Sequence, residues 1–445
     1  MALKYPAAAM YAPTGTHAGG PVEGPLGIRQ DVGQRRAEIL HAAASVIAGS
    51  GPHTSLHEIA DAAGILPGSL YHHFESKEAI FGELMRGYHA DLDRIAEVAH
   101  HRLDEPGSWP QRAAIAELSA AIANCAVAHR AAVQMSFYEA PGSNPEFVEL
   151  ARRRPVALQR AMLETLRAGR WSGYIKSDVD LALLADQMCQ TLLHVGLDIL
   201  GPNDAADVEA SVLCRILLDG LAQDPPSDTQ LDQSTPLRAA NNVIKTWTGM
   251  RALDPNDKAA TVRAVARKEF GRRGYELTTV RDVAAAAGLG IGTVYRLIGS
   301  KDDLLASIMR SFGATVGEGF VAVLRSDGSP VEKLDALSWV NVKALERFPD
   351  EWKIQLAWIR QSPPNAANPG LHFKTPMRQL RTLLVDGIQR NQIRKMSPVG
   401  LLSRCVMGVL WMPENIVREA GARPAHAHAR NTVLRGIVAE TRNTK

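Results

Sequence analysis

RRAEILHAAASVIAGSGPHTSLHEIADAAGILPGSLYHHFESKEAIF occupies residues 35–81, and KAATVRAVARKEFGRRGYELTTVRDVAAAAGLGIGTVYRLIGSKDDLL occupies residues 258–305. The two stretches are copies of one pattern. From Thr54 onward they keep a constant offset of 224 residues: Thr54 meets Thr278, Gly64 meets Gly288, Gly68 meets Gly292, Tyr71 meets Tyr295 and Lys77 meets Lys301. Upstream the offset is 223, because the second copy has one extra residue near 275–277, a change that a loop between helices tolerates.

Each copy reads as three helices. In the first, Ile39, Leu40, Ala43, Val46 and Ile47 form one apolar stripe. Ser55 and Glu58, like Thr279 and Asp282, have capping-box spacing and start a second helix. Ile59, Ala60 and Ala63, matched by Val283, Ala284 and Ala287, give it an inward face small enough for a close crossing. Gly64 and Gly288 end it, because glycine takes the left-handed conformation most easily. After a tight turn, residues 67–74 (PGSLYHHF) and 291–298 (IGTVYRLI) form a short third helix. Leu70 with Phe74, and Val294 with Ile298, face inward. That leaves Ser69, Tyr71, His72 and His73 exposed in one copy, and Thr293, Tyr295, Arg296 and Leu297 in the other. Short polar and aromatic hydroxyl groups on an exposed two-turn helix suit the major groove and phosphates of duplex DNA. Ser76–Lys77 and Ser300–Lys301 then open a further helix, whose capped N-terminus and lysine can clamp a phosphate. The expected DNA contacts are Thr54, Ser55, Ser69, Tyr71, His72, His73 and Lys77 from one copy, and Thr278, Thr279, Arg281, Thr293, Tyr295, Arg296 and Lys301 from the other.

Over about 47 residues in each copy this pattern resembles the DNA-binding head of tetracycline-repressor (TetR) type regulators. The resemblance implies an all-α fold of two tandem TetR-like units, each a three-helix helix-turn-helix head followed by a helical ligand-binding and dimerisation bundle. The implied layout is an N-terminal arm (1–30), head one (31–81), bundle one (82–221), a linker (222–254) that is Pro-, Asp-, Ser- and Gln-rich in its first part and can form a short helix at 241–247, head two (255–305) and bundle two (306–445). The tandem arrangement is similar to the double-headed TetR-type regulators of actinobacteria, including those that repress lipid-uptake (mammalian-cell-entry) operons. Leu66–Pro67 and Gly290–Ile291 depart from the Ser-Lys pair that often opens the recognition helix in this family, so neither copy has that lysine.

The heads differ in charge. Residues 31–78 carry three basic against six acidic side chains, net −3, whereas residues 251–301 carry ten against five, net +5. Because phosphate neutralisation supplies non-specific affinity, head two is expected to anchor the protein through Arg272, Arg273 and Lys301, with head one adding sequence reading.

In such bundles the last two helices of each unit form a four-helix interface. They are expected here at 179–200 and 207–221, and at 398–419 and 428–441, joined as an intramolecular pseudo-dimer; a further homodimer of pseudo-dimers is the alternative. Met135, Phe137, Tyr138, Met162, Trp171, Tyr174 and Met188 in one bundle, and Trp339, Trp352, Trp358, Phe373 and Trp411 in the other, are core residues or the walls of a pocket for a small apolar or acyl-type effector.

The 445-residue chain has a net charge of only +3, which says little without its distribution. It has no run of about 18 uncharged apolar residues and no signal-peptide pattern at its start, so a cytoplasmic protein without a membrane span is expected. Cys125, Cys189, Cys214 and Cys405 form no CxxC pair and sit in apolar stretches, as small core residues in a reducing compartment do. The fourteen histidines, His72–His73, His100–His101, His426 and His428 among them, have no metal-ligand spacing. A nucleophile elbow, a phosphate-cradling loop and a cofactor fingerprint are all missing, so neither enzyme chemistry nor a cofactor is expected. A constitutive or architectural DNA binder is the competing reading, separated from a ligand-responsive repressor by whether a small molecule releases DNA.

Overall fold

The computed structural model describes residues 26–104, 111–136, 144–197, 205–247, 257–361 and 374–439. Head one is α1 (Leu26–Ser50), α2 (Leu56–Ala62) and α3 (Pro67–Leu70). Bundle one is α4 (Lys77–Asp104), α5 (Gln111–Ala128), α6 (Arg130–Met135), α7 (Pro145–Arg152), α8 (Val156–Trp171), α9 (Leu181–His194) and α10 (Ala206–Asp219). The connection holds α11 (Asp228–Asp232) and α12 (Thr235–Thr246). Head two is α13 (Lys258–Arg273), α14 (Val280–Ala287) and α15 (Ile291–Ile298). Bundle two is α16 (Lys301–Arg325), α17 (Pro330–Arg347), α18 (Pro349–Gln361), α19 (Lys374–Gln389), α20 (Val399–Leu410), α21 (Glu414–Ala420) and α22 (Ala422–Ala429), which runs on into a π-helical turn, Arg430–Leu434. The fold is all-α. Among the described residues extended pairing is limited to the isolated bridges Ile175–Val438 and Ala222–Ile393.

The connection departs from the expected linker. Its Ser227 and Ser234 are helix N-caps rather than loop residues, and Pro236, Leu237, Ala240 and Ile244 form a buried stripe on α12. That stripe packs on α16 and α17, so the connection is part of bundle two. The helix expected over 398–419 breaks after Leu410, where Pro413 cannot donate a backbone hydrogen bond. The one expected over 428–441 starts earlier, at Ala422, and its helical turns end at Leu434.

The two halves meet along their last helices. α10 packs on α20 and on the π turn. Arg215 donates to the carbonyl of Met396 (2.7 Å), and Gln190 on α9 donates to Asn415 on α21 (3.0 Å). Beyond α10 and beyond the π turn the chain ends cross. Leu221 N–H donates to Val433 O (2.8 Å) and Ala222 N–H to Leu434 O (3.0 Å), while Ile437 and Val438 N–H both reach Leu218 O (3.0 Å). Each end then reaches a turn of the opposite half: Gln223 N–H to Gln392 O, and Ala439 N–H to Tyr174 O, both at 2.9 Å. The same exchange thus occurs twice, once in each direction.

His428 lies in this seam, with its Nε2 3.0 Å from Gln187 Oε1 on α9. Burial holds its pKa down at about 4. Below the ordinary value of about 6.5 the unfolded chain takes up a proton that folded His428 refuses, so stability falls as pH drops from about 6.5 toward 4. The expected loss by pH 4 is about 3 kcal/mol. Denaturant unfolding at stepped pH checks it: His428→Gln should flatten this limb of the profile, and an unchanged limb would remove His428 as its source.

The four cysteines are all buried and unpaired with one another. Burial raises the Cys125 thiol to about 12 and the Cys214 thiol to about 11, so neither is a reactive thiolate at neutral pH.

Candidate nucleic-acid interface

Each head is built as its sequence dictates. Ser55 caps α2 and Thr279 caps α14, with the reciprocal hydrogen bonds to Glu58 and Asp282 both in place. These bonds also hold the two carboxyls below their ordinary pKa. Gly64 (φ +64°) and Gly288 (φ +65°) take the left-handed turn that swings the chain into the next helix. Leu70 and Phe74 plug head one and Val294 plugs head two. α15 runs two full turns. α3 covers only Pro67–Leu70 and tightens into turns closed by His72 N–H to Ser69 O and Phe74 N–H to Leu70 O.

On the outer surface Tyr71 is 57% exposed and Tyr295 50% exposed. Beside them lie the exposed His72 in head one, and Arg296 and Leu297 in head two. Ser69, His73 and Thr293 are half-buried at the rims of the same faces, while Ser55, Thr279 and Arg281 are exposed at the starts of α2 and α14. Leu66 stands out just before α3, and Ile291 opens α15. The heads approach each other through the loops between their first and second helices, where His53 Nε2 lies 3.5 Å from Glu276 Oε1.

A sequence profile of the bacterial regulatory proteins of the tetR family matches residues 39–84 and again 262–308. The HTH-type transcriptional repressor KstR2 of Rhodococcus jostii RHA1 is 33% identical over 194 residues, which is 42% of this chain and 91% of that protein. This chain belongs to the TetR family. KstR2 of Mycobacterium tuberculosis is 36% identical over 157 residues, covering 34% of this chain and 75% of that one. The solved structure of the M. tuberculosis KstR2 covers 42% of this chain and 97% of its own, at 23% identity and a TM-score of 0.34, too distant a likeness to bear on function. As a TetR-family member with two helix-turn-helix segments, the chain is a DNA-binding transcriptional regulator and not an enzyme.

The side chains correct several expected contacts of these TetR heads. Thr54 (3% exposed) and Thr278 (fully buried) do not face outward. Their hydroxyls close the loop before α2 and α14, bonding Gly51 O (2.7 Å) and Gly274 O (2.8 Å). The two lysines are half-buried and lie back on aromatic rings, Lys77 over Phe81 (5.0 Å) and Lys301 over Tyr275 (4.0 Å), instead of reaching outward. Desolvation lowers the pKa of both.

Arg272 pairs with Glu269 (2.7 Å), and Arg273 lies between Glu269 (3.9 Å) and Asp282 (3.5 Å). The i+3 and i+4 spacing from Glu269 was the available signal for these pairs. The surplus charge of head two is therefore presented by other cations. Among the described residues Lys258, Lys268, Arg281 and Arg296 are exposed and have no carboxylate partner, and Arg281 and Arg296 stand on the helix-turn-helix itself. In head one, Arg35 pairs with Glu38 and Arg36 with Glu83.

In the bundles, Met135, Met162 and Met188 are core, while Trp171 is 85% exposed. Trp352 is buried, and Tyr174, Trp339, Trp358 and Trp411 lie at the edge of the core. Phe137, Tyr138 and Phe373 lie outside the described residues. No described helix is long and apolar enough to cross a membrane, and no group of three or more His, Cys, Asp or Glu among the described residues is placed to hold a metal ion.

Proposed function

We propose that the chain is a ligand-responsive repressor that binds a non-palindromic operator as an intramolecular pseudo-dimer, one chain presenting two unlike heads. The observation that carries this reading is the difference between the heads, on one scaffold, at the exposed faces. Among the described residues head one offers Leu66, Tyr71 and His72 with its arginines paired to carboxylates, and head two offers Ile291, Tyr295, Arg296 and Leu297 with Arg281 alongside. An arginine pairs naturally with guanine and a leucine with a thymine methyl, so the two half-sites differ. The crossed chain ends supply what dimerisation supplies in a single-headed relative. Repression follows the KstR2 relatives, which are named as repressors. The tandem layout supports lipid-uptake operons among the targets, which genome-wide binding-site mapping would test.

Head two supplies the electrostatic grip through Arg281 and Arg296. Replacing both by alanine is expected to weaken DNA binding about a hundredfold, to flatten the slope of log K against log salt by about 0.9 for the one phosphate contact of Arg281, and to relax the base preference that Arg296 reads. Lys77→Ala in head one should cost less than about threefold, since that lysine already lies on a ring. Equal losses from the two heads, measured by fluorescence anisotropy across a salt series, would remove the division of labour. The architectural alternative predicts that no small molecule releases the operator.

A further inference from the structure

The two heads share a backbone but not a side chain at the residue that precedes the recognition helix. Leu66 (φ −69°, ψ 143°) and Gly290 (φ −68°, ψ 143°) hold equivalent positions, 224 residues apart, in one extended conformation. Any residue adopts that conformation, so position 290 does not need the backbone freedom of glycine. It does not need the missing side chain for room either, since a Cβ built on Gly290 meets nothing within 4 Å. Leu66 in turn is 76% exposed, so core packing does not call for a leucine there. Neither local conformation nor packing inside the chain accounts for the difference between the two copies.

The place of Leu66 is nonetheless fixed. Pro67 follows it and stiffens the chain, and the Leu66 carbonyl accepts a hydrogen bond from Ser69 N–H (2.9 Å). Exposed Gly68 has no side chain to screen it. An exposed leucine on a protein surface is ordinary by itself. This one opens the helix by which head one meets DNA, on a face whose other exposed groups, Tyr71 and His72, are polar. Along the major groove the base edges present hydrogen-bond donors and acceptors, and the apolar group among them is the C5 methyl of thymine. An isobutyl group held at this face has that methyl as its natural partner.

We propose that Leu66 is a specificity-determining residue, which lays its side chain against a thymine methyl in the half-site of head one, and that Gly290 leaves head two without this contact. This assignment rests on the reading above in which both heads of one chain hold the operator. It gives the complex a polarity, because the thymine that depends on Leu66 marks the half-site that belongs to head one.

The experiment uses the full-length chain and an operator duplex recovered by the binding-site mapping. Deoxyuridine replaces thymine in one half-site at a time, which deletes the methyl and keeps the base pair. Affinity is read by fluorescence anisotropy. In one half-site the replacement should weaken binding by the unaltered chain about fourfold, the worth of one buried methyl. Leu66→Ala should bind the thymine operator about tenfold more weakly, keep its Tm, and show no further loss from deoxyuridine in that half-site. In the other half-site both proteins should respond alike. Gly290→Leu, whose backbone already matches that of Leu66, should shift the preferred sequence of the second half-site toward thymine when operator variants compete.

Deoxyuridine losses that are equal in the unaltered chain and in Leu66→Ala would overturn the assignment, as would the absence of any loss. A lowered Tm in Leu66→Ala would overturn it as well, by giving the leucine a structural role. Insensitivity to deoxyuridine with two unlike half-sites still protected would remove Leu66 as a reader and leave the two-headed reading standing. Protection of a single half-site by the chain would overturn the two-headed reading instead.

Discussion

Gly220→Ala is expected to destabilise the chain by about 4 kcal/mol or more. Gly220 has φ +75° and ψ 152°, a region that glycine alone occupies comfortably. A Cβ there would stand 2.5 Å from the carbonyl carbon of Arg435 and from the nitrogen of Gly436. Gly436 (φ +69°) is in the same position from the other side, since its Cβ would lie 2.4 Å from the carbonyl carbon of Asp219. Both obstacles are backbone, so no rotamer change relieves them. The two halves cross at a pair of glycines, one from the end of each. Gly173→Ala is the control: it shares the left-handed backbone (φ +76°) but nothing lies within 4 Å of its would-be Cβ, so only the strain, about 1 kcal/mol, should be lost. Denaturant unfolding of both variants decides the point. Equal losses would mean that the crossing is not tight and that the halves are joined by their helices alone.

Asp335→Ala should cost about 3–5 kcal/mol, the range for breaking one side of a buried ion pair. The carboxylate is inaccessible on α17 and receives both arms of Arg430, at 2.8 and 3.0 Å, with His426 Nε2 at 3.0 Å. Arg430 also pairs with Asp232 (2.8 Å) and lies 3.5 Å from Asp228, both on α11, so one arginine ties the connection, α17 and the last helical turn together. Burial alone would raise the Asp335 pKa, but hydrogen bonds from His426 and Arg430 and their charges outweigh it and hold the group below the usual carboxylate range. Its contribution is thus complete above an unfolded pKa of about 3.9 and is lost only as pH falls through the lower folded value. The acid sensitivity expected between 6.5 and 4 belongs to His428 and to His89, whose pKa burial lowers as well, and Asp335→Ala should lower stability evenly across that window. A pH-dependent loss there would contradict the assignment.

The heads were legible in the sequence because their signals are local. Capping boxes span three residues, αL glycines announce themselves, and Leu70, Phe74 and Val294 follow from helical period. What the sequence hid depends on where a side chain folds back. Thr54 and Thr278 look like phosphate contacts but close loops. Lys77 and Lys301 look like clamps but lie on rings. Apart from a short helix at 241–247 the connection looked unstructured, because serine caps and the proline that opens a helix are the same residues that fill loops; the spacing of Leu237, Ala240 and Ile244 is what carries α12 back to Thr235. The crossing of Gly220 and Gly436 joins positions more than two hundred residues apart, beyond the reach of any local pattern.

The central claim, one chain reading two unlike half-sites, is tested most directly by the mass of the complex on a single isolated operator, combined with a footprint of each strand. One chain per site is predicted, protecting two half-sites of different sequence about 34–36 Å apart or a multiple of that. Two chains on a palindromic site, with both halves protected equally, would contradict it.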